Sequence, residues 1–269
     1  MDSIFSAETG RLQQQVNLNI KEQTQLLNRM FTYFGNPQKQ SELLYDMGKM
    51  GLNICGGAIT SVFSNAPIND LDFYLEDKAD LARAVKFFEV LGFVQVFATD
   101  TALSFQRQVP GSRRLYKIQL ITYFTGKPDE IFNSFDFTIC CGSYSFLDAR
   151  FNLHSRFLPD LAKRKLVYMG GSRFPICALY RTVKYQKRGY QLPGSTAMHL
   201  GLAISRLDIE TYADLKAQLR GIDTLYLYKF LEMKPDDLPF DYGEFVAEAF
   251  ERIDGRPAEA EIEDEHEDL

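Results

Sequence analysis

The sequence predicts an α+β fold, a mixed β-sheet with helices in the first half and a mostly helical second half. Three observations predict it. Helix-like and strand-like patterns alternate up to about residue 91, three strand-like segments with short turns follow between about 93 and 123, and beyond about 151 the periodicity is helical. A chain of 269 residues with 45% hydrophobic and 25% charged content has room for one large domain or two modest ones.

The elements follow in order. Thr9–Phe34 reads as a helix rich in Gln, Leu and Asn, broken by Pro37, and a second helix near Ser41–Met50 leads into Gly51. Asn53–Cys55 is a short strand, Gly57–Ser64 a short helix, and Asn65-Ala66-Pro67 a turn. Leu71–Leu75 is a strongly apolar strand with Asp70 and Asp72 at its entry. Leu81, Val85, Phe88 and Leu91 fall at helical spacing within Lys78–Leu91, and Gly92 ends that helix. Phe93–Thr99, Ala102–Gln108 and Tyr116–Tyr123 favour strand, with Pro110-Gly111-Ser112 turning between the last two. Pro128–Ser134 reads as a short helix and Phe135–Cys141 as a further strand, opened by Asp136. Leu158–Lys165 and Arg173–Arg188 read as helices, Gly189, Pro193 and Gly194 interrupt, and Asp208–Leu219, Asp223–Glu232 and Tyr242–Ile253 give three more helical patterns. The expected domains are N-terminal helices in 1–50, a sheet domain in 51–150, a mostly helical domain in 151–253 and an acidic disordered tail in 254–269.

Charge and cysteine content narrow the class. The net charge of −6 is concentrated in Asp254–Leu269, which holds eight acids against the single base Arg256, so the remainder is close to neutral. Cys55, Cys140, Cys141 and Cys177 are not spaced as zinc ligands and read as reduced core thiols of a cytoplasmic protein. No stretch is long and apolar enough for a membrane span, and the N-terminus does not read as a secretion signal.

The chemistry concentrates in two neighbouring stretches. Ile54-Cys55-Gly56-Gly57-Ala58-Ile59-Thr60-Ser61 places a glycine pair at the opening of a helix, where the backbone approaches a bulky anion closely and free N–H groups favour phosphate. Asp70 and Asp72 alternate along a strand, so both point to one face and can grip one hard cation. Two-metal phosphoryl transfer calls for a third carboxylate nearby, and Asp136 in Phe135-Asp136-Phe137 is the best candidate. His154, His199 and His266 do not cluster in the sequence, and no Gly-x-x-x-x-Gly-Lys phosphate loop is present.

Gly56-Gly57, the short helix bearing Ser61 and the alternating Asp70-Leu71-Asp72 strand together resemble the signature of the polymerase-β-like nucleotidyltransferase superfamily. Asp70 stands thirteen positions after Gly57, which fits that signature, and the resemblance covers about residues 39–144. It implies an Mg²⁺-dependent transfer of a nucleoside monophosphate from an NTP to an acceptor hydroxyl, with pyrophosphate leaving. By the same resemblance Gly56 and Gly57 hold the triphosphate with Ser61 as a hydroxyl contact. Asp70, Asp72 and Asp136 are the catalytic and metal-binding acids. The superfamily often has Ser directly after the first Gly, and here Gly57 takes that place, which weakens the part given to Ser61.

Outside that core, Arg181, Lys184 and Arg188 share one helical face and suit the β- and γ-phosphates of a nucleotide, with Tyr185 placed to stack on a base. Arg113, Arg114 and Lys117 are positioned to touch an acceptor's phosphates. The acceptor stays open among an RNA or tRNA 3′ end, a protein and a small molecule. The alternative is a catalytically inactive protein of the same fold that serves as an interaction or scaffold module.

Overall fold

The computed structural model describes residues 40–109, 115–219 and 233–247, together with Asn28, Gly111, Arg113 and Leu231. The expected helix over Thr9–Phe34 apart from Asn28, the acidic segment from Asp254, Arg114 and all of Asp223–Glu232 but Leu231 lie outside the described residues. The chain divides into two units, Met1–Lys163 and Arg164–Leu269.

The first unit is built on a seven-stranded mixed sheet. Helix α1 (Gln40–Lys49) precedes β1 (Leu52–Cys55), then come α2 (Gly57–Ser64), β2 (Asp70–Leu75) and, after a 3₁₀ turn, α3 (Leu81–Val90). Strands β3 (Val94–Ala98), β4 (Ala102–Gln108) and β5 (Leu115–Ile121) form a meander, followed by α4 (Pro128–Phe132), β6 (Gly142–Ser145), β7 (Arg150–Leu153) and α5 (Phe157–Ala162). The strand order is β3-β4-β5-β2-β1-β6-β7, antiparallel throughout except for the parallel β2–β5 pair.

The period of two divides this sheet into unlike faces. On one, Leu103, Leu120, Phe73, Ile54, Tyr144 and Phe151 stand in register across six strands. Phe88 of α3 packs there on Phe73 with ring centroids 5.0 Å apart and on Phe105 at 5.8 Å, so this face holds the main core. The opposite face is polar through its middle and carries Asp70 and Asp72. Part of it is covered by a smaller cluster of Cys55, Tyr74 and Ile131 with Ile121, Phe124 and Phe135.

One expected strand is not there. Phe135–Cys141 is a bend and a 3₁₀ turn (Thr138–Cys140), and β6 begins only at Gly142. The turn is held by side chains that the apolar pattern conceals: Thr60 Oγ1 donates to the Ile139 carbonyl at 2.6 Å, and Thr138 Oγ1 donates to Asp160 at 2.7 Å. Asp136 therefore stands ahead of this turn and not at the entry of a strand.

The second unit is helical, with α6 (Pro175–Lys187), α7 (Gly194–Ile204), α8 (Tyr212–Gln218) and a further helical segment over 242–247. Its core includes Tyr212, Leu215 and Leu231, with Phe240 and Phe245 packed against them. Pro193 and Gly194, read as an interruption, instead open α7, with Pro193 as its N-cap.

Candidate active site

The site begins at the end of β1. Gly56 has φ 81° and ψ −136°, backbone that an L side chain rarely adopts, and its N–H donates to the Gly142 carbonyl at 3.0 Å. The chain thereby turns from strand into α2 in a single residue. No side chain caps α2, and a Cβ built on Gly56 or Gly57 meets nothing within 4 Å. The first turn of the helix thus faces open space with its positive dipole end outward, an arrangement that suits a phosphate. Ser61 lies a turn deeper in the helix and is buried.

Register places the carboxylates beside the turn. Asp72 is opposite Cys55, the last residue before Gly56, and across the parallel pair it is opposite Gln119. Asp70 is opposite Lys117. Asp70 is exposed and Asp72 half-buried, on the same face of β2 and beyond the cluster that covers Tyr74 and Cys55. The row through Asp72 continues as Ser104–Gln119–Asp72–Cys55–Ser143–Asn152, so polar groups span most of the sheet at this level. The Oγ of Ser143 is buried in that row without a hydrogen-bond partner. The alternation of Ser104 with Gln106 and of Lys117 with Gln119 is a readable signal of a polar face; that it is the face of Asp72 depends on strand register, which a single sequence does not carry.

Asp136 is 6% exposed. The Cys55 thiol is pushed well up, first by burial, then by the Asp72 carboxylate and by Cys141. The Cys141 thiol is also pushed up, by burial first and then by Cys140 and Asp136. Asp72 thus bears on the Cys55 thiol and Asp136 on the Cys141 thiol, and both thiols stay protonated at neutral pH, which makes them poor nucleophiles. Among the described residues, no group of three or more His, Cys, Asp and Glu side chains is arranged to hold a metal ion, so the three aspartates form no preassembled cage. A pair of carboxylates still fits Mg²⁺, which takes one or two protein carboxylates and completes its shell with water and substrate phosphates.

The basic row lies in the second unit. Arg181, Lys184 and Tyr185 are on α6 and Arg188 is its C-cap. Lys184 and Arg188 are exposed and Arg181 is half-buried. The Tyr185 ring packs edge-on against Tyr190 at 5.5 Å, and the Arg188 carbonyl accepts from Arg164 Nη1 at 3.2 Å. Arg113 is exposed and Lys117 half-buried. Among the described residues no helix is long and apolar enough to cross a membrane.

A family model described as "Gabija anti-defense 2 family protein" matches residues 21–164. A protein named "Gabija anti-defense 2" from Bacillus phage SPbetaL7 is 31% identical over 211 residues, covering 78% of this chain and 50% of the relative, so the chain spans half that protein's length. Among solved structures, the chain is similar to a tRNA-processing enzyme in an apo form at 16% identity and a TM-score of 0.50, over 73% of this chain and 57% of that one. A CCA-adding enzyme solved with CTP gives 15% identity and the same TM-score of 0.50, over 78% and 50%. At such identities the likeness concerns the fold, which is nucleotidyltransferase-like.

Proposed function

We propose that this chain, which belongs to the Gabija anti-defense 2 family, has an anti-defence role and carries it out as a nucleotidyltransferase. In this reading a nucleoside monophosphate passes from an NTP to an acceptor hydroxyl, and pyrophosphate leaves. The observation that carries the reading is the Asp70/Asp72 pair standing beside a glycine-opened, uncapped helix on the polar face of the sheet.

The residues divide the work. The open space at Gly56 and Gly57 takes the triphosphate, and the N–H groups of the first turn of α2 bind its charge. Asp70 and Asp72 would hold Mg²⁺ against the same phosphates. When bound, the ion supplies charge compensation at the phosphates and alignment of the attacking and leaving oxygens. Asp136 is the third acid and acts on the acceptor hydroxyl. Ser61, one turn into the same helix and buried, is the weaker hydroxyl contact of this reading. Arg181, Lys184 and Arg188 form a phosphate-binding row and Tyr185 a base contact on α6.

Incubating the protein with each labelled NTP and Mg²⁺ tests this directly. Pyrophosphate release supports transfer, and release of phosphate or free nucleotide supports hydrolysis. The absence of all three supports the second reading, an inactive interaction protein of this fold. Asp72→Asn is expected to abolish Mg²⁺-dependent turnover with an unchanged melting temperature; normal turnover in that variant rejects the assignment. Lys184→Ala is expected to raise the apparent Kd for NTP, and an unchanged value returns that row to a solvated helix face.

A further inference from the structure

We propose that the open half of the carboxylate face, from β2 outward to the edge strand β3, is a binding track for single-stranded nucleic acid, with the Phe97 ring as the platform on which a base stacks. This names the acceptor of the reaction proposed above, and it rests on that reading only for placing the strand's end at Asp70 and Asp72.

Register carries the argument. The row through Asp72 extends beyond Ser104 to Phe97, and the row through Asp70 runs by Lys117 and Gln106 to Val94. Phe97 reaches this face because of an irregularity. Between Gln95 and Phe97 the β3–β4 ladder shifts by one residue, Val96 being the extra one. Strict alternation from Val94 would send Phe97 to the opposite face; the bulge re-aims it to the side of the carboxylates. The ring is then 54% exposed. Three inter-strand steps separate it from Asp72, about 14 Å at ~4.8 Å per step. That is the length of about four nucleotides at the ~3.4 Å rise of a stacked strand.

The lining favours a polyanion with apolar bases over a protein surface. Strands β3, β4 and β5 contain no acidic residue. Between Phe97 and the carboxylates the face presents Ser104, Gln106, Lys117 and Gln119, which are hydrogen-bonding groups and one cation. Arg113, exposed, follows β4 on the connection to β5. Arg107 serves elsewhere: it lies over the Phe93 ring at 4.8 Å and donates to the Leu91 carbonyl at 2.8 Å. An exposed aromatic beside hydrogen-bonding groups and a cation suits a single strand held without base preference.

The chain has no tryptophan, so Phe97→Trp introduces a single tryptophan at the proposed platform, excited selectively over the fourteen tyrosines. The full chain carrying it is titrated with single-stranded RNA and DNA of about 12 nucleotides, within the ~4–16 that such surfaces bind, and with a duplex of the same sequence. Neither NTP nor metal is added. Both single strands, or one of them, should quench the fluorescence while the duplex does not. Phe97→Ala should lose about tenfold in affinity for the quenching strand by fluorescence anisotropy of a labelled oligonucleotide, at unchanged melting temperature. Equal affinity in Phe97→Ala, or equal binding of the duplex, overturns the track. Self-association that Phe97→Ala abolishes, with no oligonucleotide bound, also overturns it and assigns the face to a second copy of the chain. Because these readouts need no turnover, pyrophosphate release from NTP without quenching rejects the track alone. Quenching without any release rejects the transferase alone.

Discussion

Gly56 and Gly57 are neighbours with different reasons to be glycine. Gly56 needs its conformation: Gly56→Ala places a Cβ on backbone at φ 81° and is expected to cost about 1–3 kcal/mol in chemical denaturation. Gly57 lacks positive φ and has open space around it, so Gly57→Ala should leave stability within about 0.5 kcal/mol while weakening NTP binding, measured by titration. Equal NTP affinity in that variant would detach the glycine pair from phosphate. Gly142 is glycine for a third reason, since a Cβ there would stand 2.8 Å from Ile59 Cγ2 and 2.9 Å from Phe157. His154 adds a pH dependence. Its imidazole pKa is lowered, first by burial and then by Arg156, against the opposing pull of Asp160 and Asp129, and its Nδ1 accepts from the Arg156 N–H at 3.2 Å. Protonation is disfavoured in the folded state. The stabilisation is therefore complete above the unfolded pKa of about 6.5 and is lost as pH falls through the lower folded value. Melting curves from pH 8 to 5 should fall more steeply for the native chain than for His154→Gln.

At the scale of elements, much was legible where local signals agree. The helix Gly57–Ser64 and the strand Ala102–Gln108 have the boundaries that glycine punctuation and alternation predict, and β2 differs from its expected span by one residue. Asp70 and Asp72 share a strand face, as period two requires. The losses occur where tertiary bonds override pattern. Phe135–Cys141 has the apolar alternation of a strand but becomes a 3₁₀ turn because Thr60 and Asp160 claim its carbonyl and hydroxyl groups. Helix α7 was concealed by the dipeptide that starts it. Strand β7 is too short for its pattern to register. The start of α8 shows what a strong local signal does. Thr211 Oγ1 accepts from the Asp214 N–H at 3.3 Å, and the Asp214 carboxylate accepts first from the Thr211 hydroxyl at 2.7 Å and then from the Thr211 N–H at 2.9 Å, which together hold its pKa below the usual value. Thr211→Ala is expected to cost about 1 kcal/mol, read as faster hydrogen exchange in α8.

For the whole molecule, charge is the property that composition misstates. The segment from Asp254 onward carries eight acids and one base, so the rest of the chain is nearly neutral. Deleting residues 254–269 is expected to raise non-specific affinity for nucleic acid at low ionic strength and to have little effect at high salt, where screening is short-ranged. An unchanged affinity at low salt would deny the terminus any electrostatic influence. The strand order has a further consequence, for a nascent chain. Strand β2 gains its β1 neighbour early, but its other flank stays bare until β5, more than forty residues later, has been made. The far side of β1 is bare longer still, until β6 arrives. The strand bearing both aspartates is thus finished from its two sides at different times during synthesis, and a ribosome that halts before residue 121 leaves a half-clad hairpin with an open ladder, the kind of surface that chaperones shield.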